Sequence, residues 1–155
     1  MEKDGSGAER VASGADRYGE VRSLGVSSVQ FKAATQDGSL FVLENVFHAR
    51  GGPAKHLHLE QDEWFYVVEG EFLIEVGSER AVLRPGDSLL APRRVPHVWA
   101  FTGAGTGRIL VTFAPAGRME AFFRKVTQAG AMPPQDPELW REHGMELLGP
   151  PLSLD

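Results

Sequence analysis

The sequence contains no cysteine, which excludes disulfides, cysteine nucleophiles and thiolate metal ligands. Any metal ion must therefore bind through nitrogen and oxygen atoms. Basic residues are not gathered into a patch, because the 16 Lys and Arg are scattered and the net charge is -5 with a pI near 5.5. A nucleic-acid partner is not expected from this charge distribution.

Long hydrophobic runs are also missing. No window approaches the roughly 18 apolar residues that a membrane helix needs, and the opening MEKDGSGAERVASGADRYGE has no apolar run of the signal-peptide kind. We therefore expect a cytoplasmic protein that makes no membrane contact.

Residues that favour turns are abundant. In a chain of 155 residues, 18 Gly and 10 Pro favour many turns over long helices and predict one all-β domain. Short apolar runs such as EWFYVVEG and EFLIEV are separated by QDGS, GSER and RPGD, the pattern of a sandwich or small barrel. We divide the chain into a flexible N-terminal tail (1–17), a β-barrel (18–116), and C-terminal helices with an extended tail (117–155).

Two short helices are expected after the barrel. Apolar residues recur at helical spacing in AGRMEAFFRKVTQAG, which predicts a helix that stops at Gly130. A second helix is predicted in DPELWREHG, with Asp136 as N-cap and Pro137 at the first helical position.

Three histidines have a spacing that allows metal binding. His56 and His58 are two residues apart, so on a strand their side chains point to the same side. His97 follows the turn and apolar strand of RPGDSLLAPRRVP and could face His56 and His58 across a barrel.

Two carboxylates are candidates for the fourth ligand. Glu60 has the right parity on a continuous strand, whereas Glu63 requires a turn or bulge after His58.

These two segments resemble the two motifs of the cupin superfamily. The first motif (glycine, His, one residue, His, Glu, glycine) is matched by Gly51, His56, His58, Glu63 and Gly70, with a first gap of four residues instead of five. The second motif is matched at three positions and changed at two others: Gly86, Pro92, Arg94 for the family glycine, His97, and Phe101 for the family asparagine. The likeness extends over residues 18–152 to single-domain bacterial cupins of the quercetinase-like kind.

The resemblance implies a double-stranded β-helix, the cupin jelly-roll barrel, with a metal held by His56, His58, Glu63 and His97. Such ligands suit a divalent transition metal such as Fe, Mn, Ni, Co, Cu or Zn. The resemblance further implies a dioxygenase acting on a small aromatic or enolic compound, with Glu63 as ligand and, when detached, as catalytic base. The alternatives are a non-catalytic metal-containing binding or sensing protein, and a metal-dependent isomerase or epimerase. A homodimer is expected, because related cupins pair through strands such as VQFKAAT and LFVLENVF.

The remaining candidate residues are expected to serve the fold. His48 and His143 lack ligand spacing, Glu60 and Asp62 are interpreted as solvated turn acids, and Arg94 is either an exposed charge or a guard of the pocket mouth. The aromatic residues are assigned mostly to the core, with one or two of them lining the pocket: Trp64, Phe65, Tyr66, Phe72, Trp99 and Phe101.

Overall fold

The chain is built mainly of short β-strands. The computed structural model describes residues 2–3 and 7–154. Its strands are β1 Glu2–Lys3, β2 Glu9–Arg10, β3 Ser23–Leu24, β4 Ser27–Ala34, β5 Phe41–Phe47, β6 Lys55–His58, β7 Asp62–Glu69, β8 Phe72–Val76, β9 Glu79–Leu83, β10 Ser88–Ala91, β11 His97–Phe101, β12 Gly107–Ala114 and β13 Met145–Gly149. The two helices are α1 Met119–Val126 and α2 Pro137–Glu142.

Two antiparallel sheets form the body of the fold. One has the strand order β10-β7-β12-β5-β4-β3 and the other has the order β13-β6-β11-β8-β9. Neighbours in each sheet include strands far apart in sequence, such as β12 with β5 and β11 with β6. This arrangement confirms the predicted all-β jelly-roll of the cupin type with short C-terminal helices.

The core lies between the sheets and is rich in aromatic rings. Phe47 of one sheet lies 5.7 Å from Phe72 and 5.6 Å from Trp99 of the other, measured between ring centroids. Phe101 is fully buried in this cluster. A Cβ on Gly107 would come within 2.4 Å of the Phe101 ring, so the glycine leaves the space that the ring fills. Phe101, which replaces the family asparagine, is thus a core residue.

The C-terminal helices cover one end of the barrel. Helix α1 buries Met119, Phe122 and Val126, and it ends earlier than the predicted stop at Gly130. The helical pattern ends after Thr127, because the N–H of Gln128 donates to the Lys125 carbonyl three residues back instead of the Arg124 carbonyl four residues back. Helix α2 begins as predicted: Asp136 is the N-cap, and its side chain accepts a hydrogen bond from the Glu138 N–H.

The segment before the barrel makes specific contacts at its end. Asp16 and Arg17 are buried, and Arg17 donates to the Ala34 carbonyl over 2.9 Å.

The division into tail, barrel and C-terminal segment stays a prediction. Neither helix in the described part of the chain has the length to cross a membrane.

Candidate metal centre and adjoining cavity

Two neighbouring strands of one sheet place the three histidines together. Along β6 the side chains alternate, so that His56 and His58 are both buried while Lys55 and Leu57 face away from the interior. β11 pairs antiparallel with β6, and His97 is opposite His56 in that register. The convergence expected from the two-residue spacing is confirmed.

The carboxylate comes from the other sheet. After His58 the chain turns at residues 59–61, and β7 begins at Asp62 with Glu63 pointing inward and buried. On a continuous strand Glu63 would point to the side opposite His56 and His58. The turn redirects the chain so that Glu63 points to the same side as the histidines. Glu60 remains on the turn with 68% of its side chain exposed, 3.2 Å from Arg94. Of the two competing carboxylates, the structure brings only Glu63 to the histidines.

The four side chains converge on one point. One donor atom from each of His56, His58, Glu63 and His97 can be chosen so that all four lie within 4.8 Å of one another. Bonds of about 2.1 Å to a shared ion require separations of at most about 4.2 Å, so shifts below about 1 Å would complete the site. All four residues are buried.

Backbone carbonyls set the orientation of two imidazoles. His56 Nδ1 lies 2.7 Å from the Ala54 oxygen, and His97 Nδ1 lies 3.2 Å from the Val95 oxygen. Because a carbonyl oxygen can only accept, Nδ1 must carry the proton in each ring. Nε2 of His56 is thereby left with its lone pair, and Nε2 of His97 faces Glu63 Oε1 at 2.9 Å.

The same contacts perturb the acidity of the cluster. Burial would raise the pKa of the Glu63 carboxyl, but His97 and His58 outweigh that effect and hold the pKa below its ordinary range. Burial lowers the pKa of His56 well below its usual value, and the neighbouring His97 and His58 lower it further. For His97, burial lowers the pKa but the Glu63 carboxylate more than offsets it, so the net shift is upward. The cluster therefore holds a carboxylate and a neutral His56.

His58 supplies a test of whether a metal ion fits here. Its Nε2 lies 2.8 Å from Glu63 Oε1, yet within the described residues neither of its ring nitrogens makes a hydrogen bond of good geometry. A buried polar atom without a partner costs about 1–3 kcal/mol. A divalent cation would satisfy Nε2, and the carboxylate would offset part of its charge. The donor set of three imidazoles and one carboxylate thus fits a transition metal.

An apolar cavity of about 40 Å³ adjoins the cluster and is lined by His56, His58 and Glu63. Its wall includes Leu43 and Val111 of the larger sheet together with Met119 and Phe122 of α1. The ring of Trp140, from α2, lies 5.0 Å from that of His56. The C-terminal helices therefore form the roof of the site.

Several wall residues were not foreseen from the sequence. Trp99 confirms the expectation that an aromatic residue of the barrel lines the pocket, but Asn45, Met132 and Trp140 were missed. Asn45 carried a readable signal: Phe41, Leu43, Asn45 and Phe47 share one face of β5, and an amide among three buried apolar side chains is unusual. Met132 and Trp140 carried no such signal, because long-range packing brings them to the cavity.

The other candidate residues stay outside the cluster. His48 is exposed, and His143 is buried with its Nδ1 2.8 Å from the Leu139 oxygen, a structural contact. Asp62 accepts hydrogen bonds from Arg93 at the surface. Arg94 is exposed and is absent from the cavity wall, so the structure supports the exposed-charge interpretation.

Comparison with known proteins identifies similar sequences and folds. Residues 45–113 match the cupin domain, and this range contains all four clustered residues. An RmlC-like cupin from Shewanella frigidimarina is 31% identical, with 63% of this chain and 84% of that chain covered and a TM-score of 0.53. No curated protein sequence gives a significant match.

Two further solved structures are similar. KdgF from Halomonas sp. is 26% identical, with 62% of this chain and 86% of that chain covered and a TM-score of 0.54. Pac13, a nucleoside dehydratase from Streptomyces, is 16% identical, with 86% of this chain and 87% of that chain covered and a TM-score of 0.57. At that identity the likeness to Pac13 concerns the fold alone.

Proposed function

The chain belongs to the cupin family, and on that basis we propose that it is a metal-dependent enzyme that oxidises a small aromatic or enolic compound with dioxygen. The observation that carries this proposal is a cluster of four buried donor residues, three of which, His56, His58 and Glu63, line an apolar cavity with an aromatic roof. Apolar and aromatic walls favour a planar organic ligand over a strongly hydrated one.

In this proposal His56, His58, Glu63 and His97 hold a divalent transition metal. When bound, such an ion would supply the redox or Lewis-acid chemistry that oxidation by dioxygen requires. The carbonyls of Ala54 and Val95 keep the imidazoles of His56 and His97 in place.

Glu63 has two roles in the proposal. As a ligand it offsets part of the cation charge, and as a carboxylate at the cavity wall it can accept the hydroxyl proton of an enol or phenol. The roof of Trp140 and Phe122 excludes water from the place where the proton is transferred.

A second candidate function has an observation in its favour. Apart from three of the clustered residues and two tryptophans, Asn45 is the only side chain with a polar group at the cavity wall within the described residues. A binding or sensing protein needs no second acid or base, so this wall also suits a metal-containing protein without turnover. An isomerase or epimerase is less well supported, because proton transfer on two faces of a substrate calls for a further acid–base group.

Metal analysis of the purified protein tests the proposed centre. We expect near-stoichiometric metal in the wild type and its loss in His97→Ala, while circular dichroism reports a folded barrel in both. His48→Ala is the matched control, because His48 is exposed and remote from the cluster, and it should keep full occupancy. Full occupancy in His97→Ala would refute the site.

Oxygen uptake separates the two functions. The metal-loaded protein is tested in an oxygen electrode with catechol and with a flavonol, and turnover that disappears in Glu63→Gln supports the oxidative enzyme. Ligand-induced thermal stabilisation without oxygen uptake favours the binding protein instead.

A further inference from the structure

Asn45 is a buried amide that the proposed metal centre does not use. It lies on the inward face of β5 between Leu43 and Phe47, is 5% exposed, and contributes to the cavity wall. Burying an amide among apolar side chains costs free energy unless its polar atoms are paired. A role for Asn45 in the cavity would account for its position.

One end of this amide is fixed and the other is free. Asn45 Nδ2 donates to the Ser28 carbonyl oxygen over 2.9 Å. Because that oxygen can only accept, the NH2 group must face Ser28 and Oδ1 must be the opposite end of the amide. Within residues 7–154 no donor reaches Oδ1, which leaves one acceptor available to a ligand.

The rest of the wall determines which charge a ligand can carry. No Lys or Arg among the described residues contributes to it, and the one carboxylate present is Glu63. A carboxylate or phosphate on the ligand would be desolvated without a cationic side chain to pair with it. The cavity thus favours uncharged molecules.

The volume of the cavity limits the size of the ligand. It measures about 40 Å³, whereas an apolar cavity that binds benzene measures about 150 Å³. Three methionines, Met119, Met132 and Met145, form part of the wall. Their unbranched side chains can change rotamer and widen the cavity for one ring, but three fused or linked rings would require the roof to be displaced.

We propose that the cavity binds an uncharged, largely apolar molecule of at most one ring whose hydroxyl group, a phenol or enol, donates a hydrogen bond to Asn45 Oδ1. Asn45 is then a specificity-determining residue. The inference rests on the proposed function in so far as this cavity is taken to be the substrate site, and it narrows the substrate class to compounds smaller than flavonols.

Calorimetric titration with three one-ring probes tests the inference. Phenol offers the hydroxyl donor, toluene has the same size without it, and benzoate adds a negative charge. The full-length protein is titrated both loaded with zinc and metal-free, so that a preference for phenol caused by a metal–oxygen contact is separated from one caused by Asn45. We expect phenol to bind at least about fivefold more tightly than toluene in both forms. In the metal-free form, where no cation can pair with a carboxylate, benzoate should bind more weakly than either.

Replacement of Asn45 tests whether this residue causes the preference for phenol over toluene. In metal-free Asn45→Leu the ratio of phenol affinity to toluene affinity should fall to about one or below, and Asn45→Ala should give the same result if the leucine variant does not fold. Gln30→Leu is the control, because it removes an amide from the adjacent strand β4 at a position that does not contribute to the cavity wall, and its ratio should match the wild type.

The outcomes distinguish this inference from the proposed function. In the metal-free protein, equal binding of toluene and phenol by the wild type, tighter binding of benzoate, or a phenol preference that persists in the Asn45 variants would each overturn the inference. Failure of the metal centre appears instead as missing zinc and missing oxygen uptake, and it leaves the phenol preference of the metal-free protein unchanged.

Discussion

The backbone N–H of Arg94 donates a hydrogen bond to the carbonyl oxygen of His58 over 2.7 Å. Arg94 stands where the cupin motif has glycine, and its φ of 66° is the left-handed conformation that glycine adopts at little cost. The neighbouring Arg93 also joins the two segments, through hydrogen bonds to Asp62. The loop before His97 is thus tied to the turn before Glu63, which holds the two ligand-bearing segments together.

Replacement of Arg94 by glycine should therefore relieve backbone strain. We expect Arg94→Gly to be more stable to unfolding than Arg94→Ala by about 1 kcal/mol, since alanine keeps the strained φ. Both variants lose the guanidinium group that pairs with Glu60, so their difference isolates the backbone. Urea denaturation of the two proteins measures it, and a more stable Arg94→Ala would contradict the assigned conformation.

Glu63 and Glu60 should differ sharply in their effect on metal binding. Glu63→Gln keeps the side-chain size but removes a buried charge beside the imidazoles, so metal affinity should fall by about tenfold or more. Glu60→Gln should change the affinity by less than about twofold, because the exposed Glu60 carboxylate is screened by solvent. Competitive titration with a chromogenic chelator gives both constants. The reverse order would show that the carboxylate is misassigned.

Most of the four-residue cluster could be predicted from the sequence because the spacing of its residues is local. A strand places His56 and His58 on one side, and the motif match supplied His97 and Glu63. Spacing alone left Glu60 as a rival, since the turn at residues 59–61 that redirects the chain depends on tertiary contacts such as the hydrogen bond from Leu59 N–H to the Gly144 carbonyl.

The roof of the cavity could not be predicted in the same way. Helix α2 was expected from its N-cap and proline, but no local pattern says that Trp140 packs on His56. The conformation of Arg94 could not be predicted from the sequence either. Arginine rarely adopts a positive φ, and only the surrounding hydrogen bonds hold Arg94 in this conformation.

The assembly state is open to a direct test. Val42, Thr112, Trp64 and Leu90 form a cross-strand row on the outer face of the larger sheet. Trp64 is 37% exposed and Leu90 55% exposed, an apolar surface that a second copy would cover. We expect a homodimer in light scattering at micromolar concentration and a monomer for Val42→Lys. Val82→Lys, at an exposed valine of the other sheet, should remain dimeric, and a monomeric wild type would contradict the prediction.

Asp16 should make the stability of the protein depend on pH. Its carboxylate accepts hydrogen bonds from the backbone N–H of Phe31 and from the guanidinium of Arg22, at 2.8 and 3.0 Å. Burial raises the pKa of Asp16, but these hydrogen bonds outweigh that effect and the net shift is downward. A carboxyl whose pKa is lower in the folded protein adds stability above its unfolded value, about 3.9, and loses it as the pH falls through the folded value.

Asp16→Asn should accordingly lower the free energy of unfolding at pH 7 by about 2 kcal/mol, because it removes the buried one of the two carboxylates that pair with Arg22 and leaves only Glu20. The difference from the wild type should shrink as the pH is lowered below about 4, where the wild-type carboxyl also becomes neutral. Asp87→Asn, at an exposed turn, serves as the control and should follow the wild-type curve. Urea unfolding between about pH 3 and about pH 7 measures the effect. A pH-independent difference would mean that the Asp16 charge does not contribute, and no difference at all would contradict the contribution of its hydrogen bonds to stability.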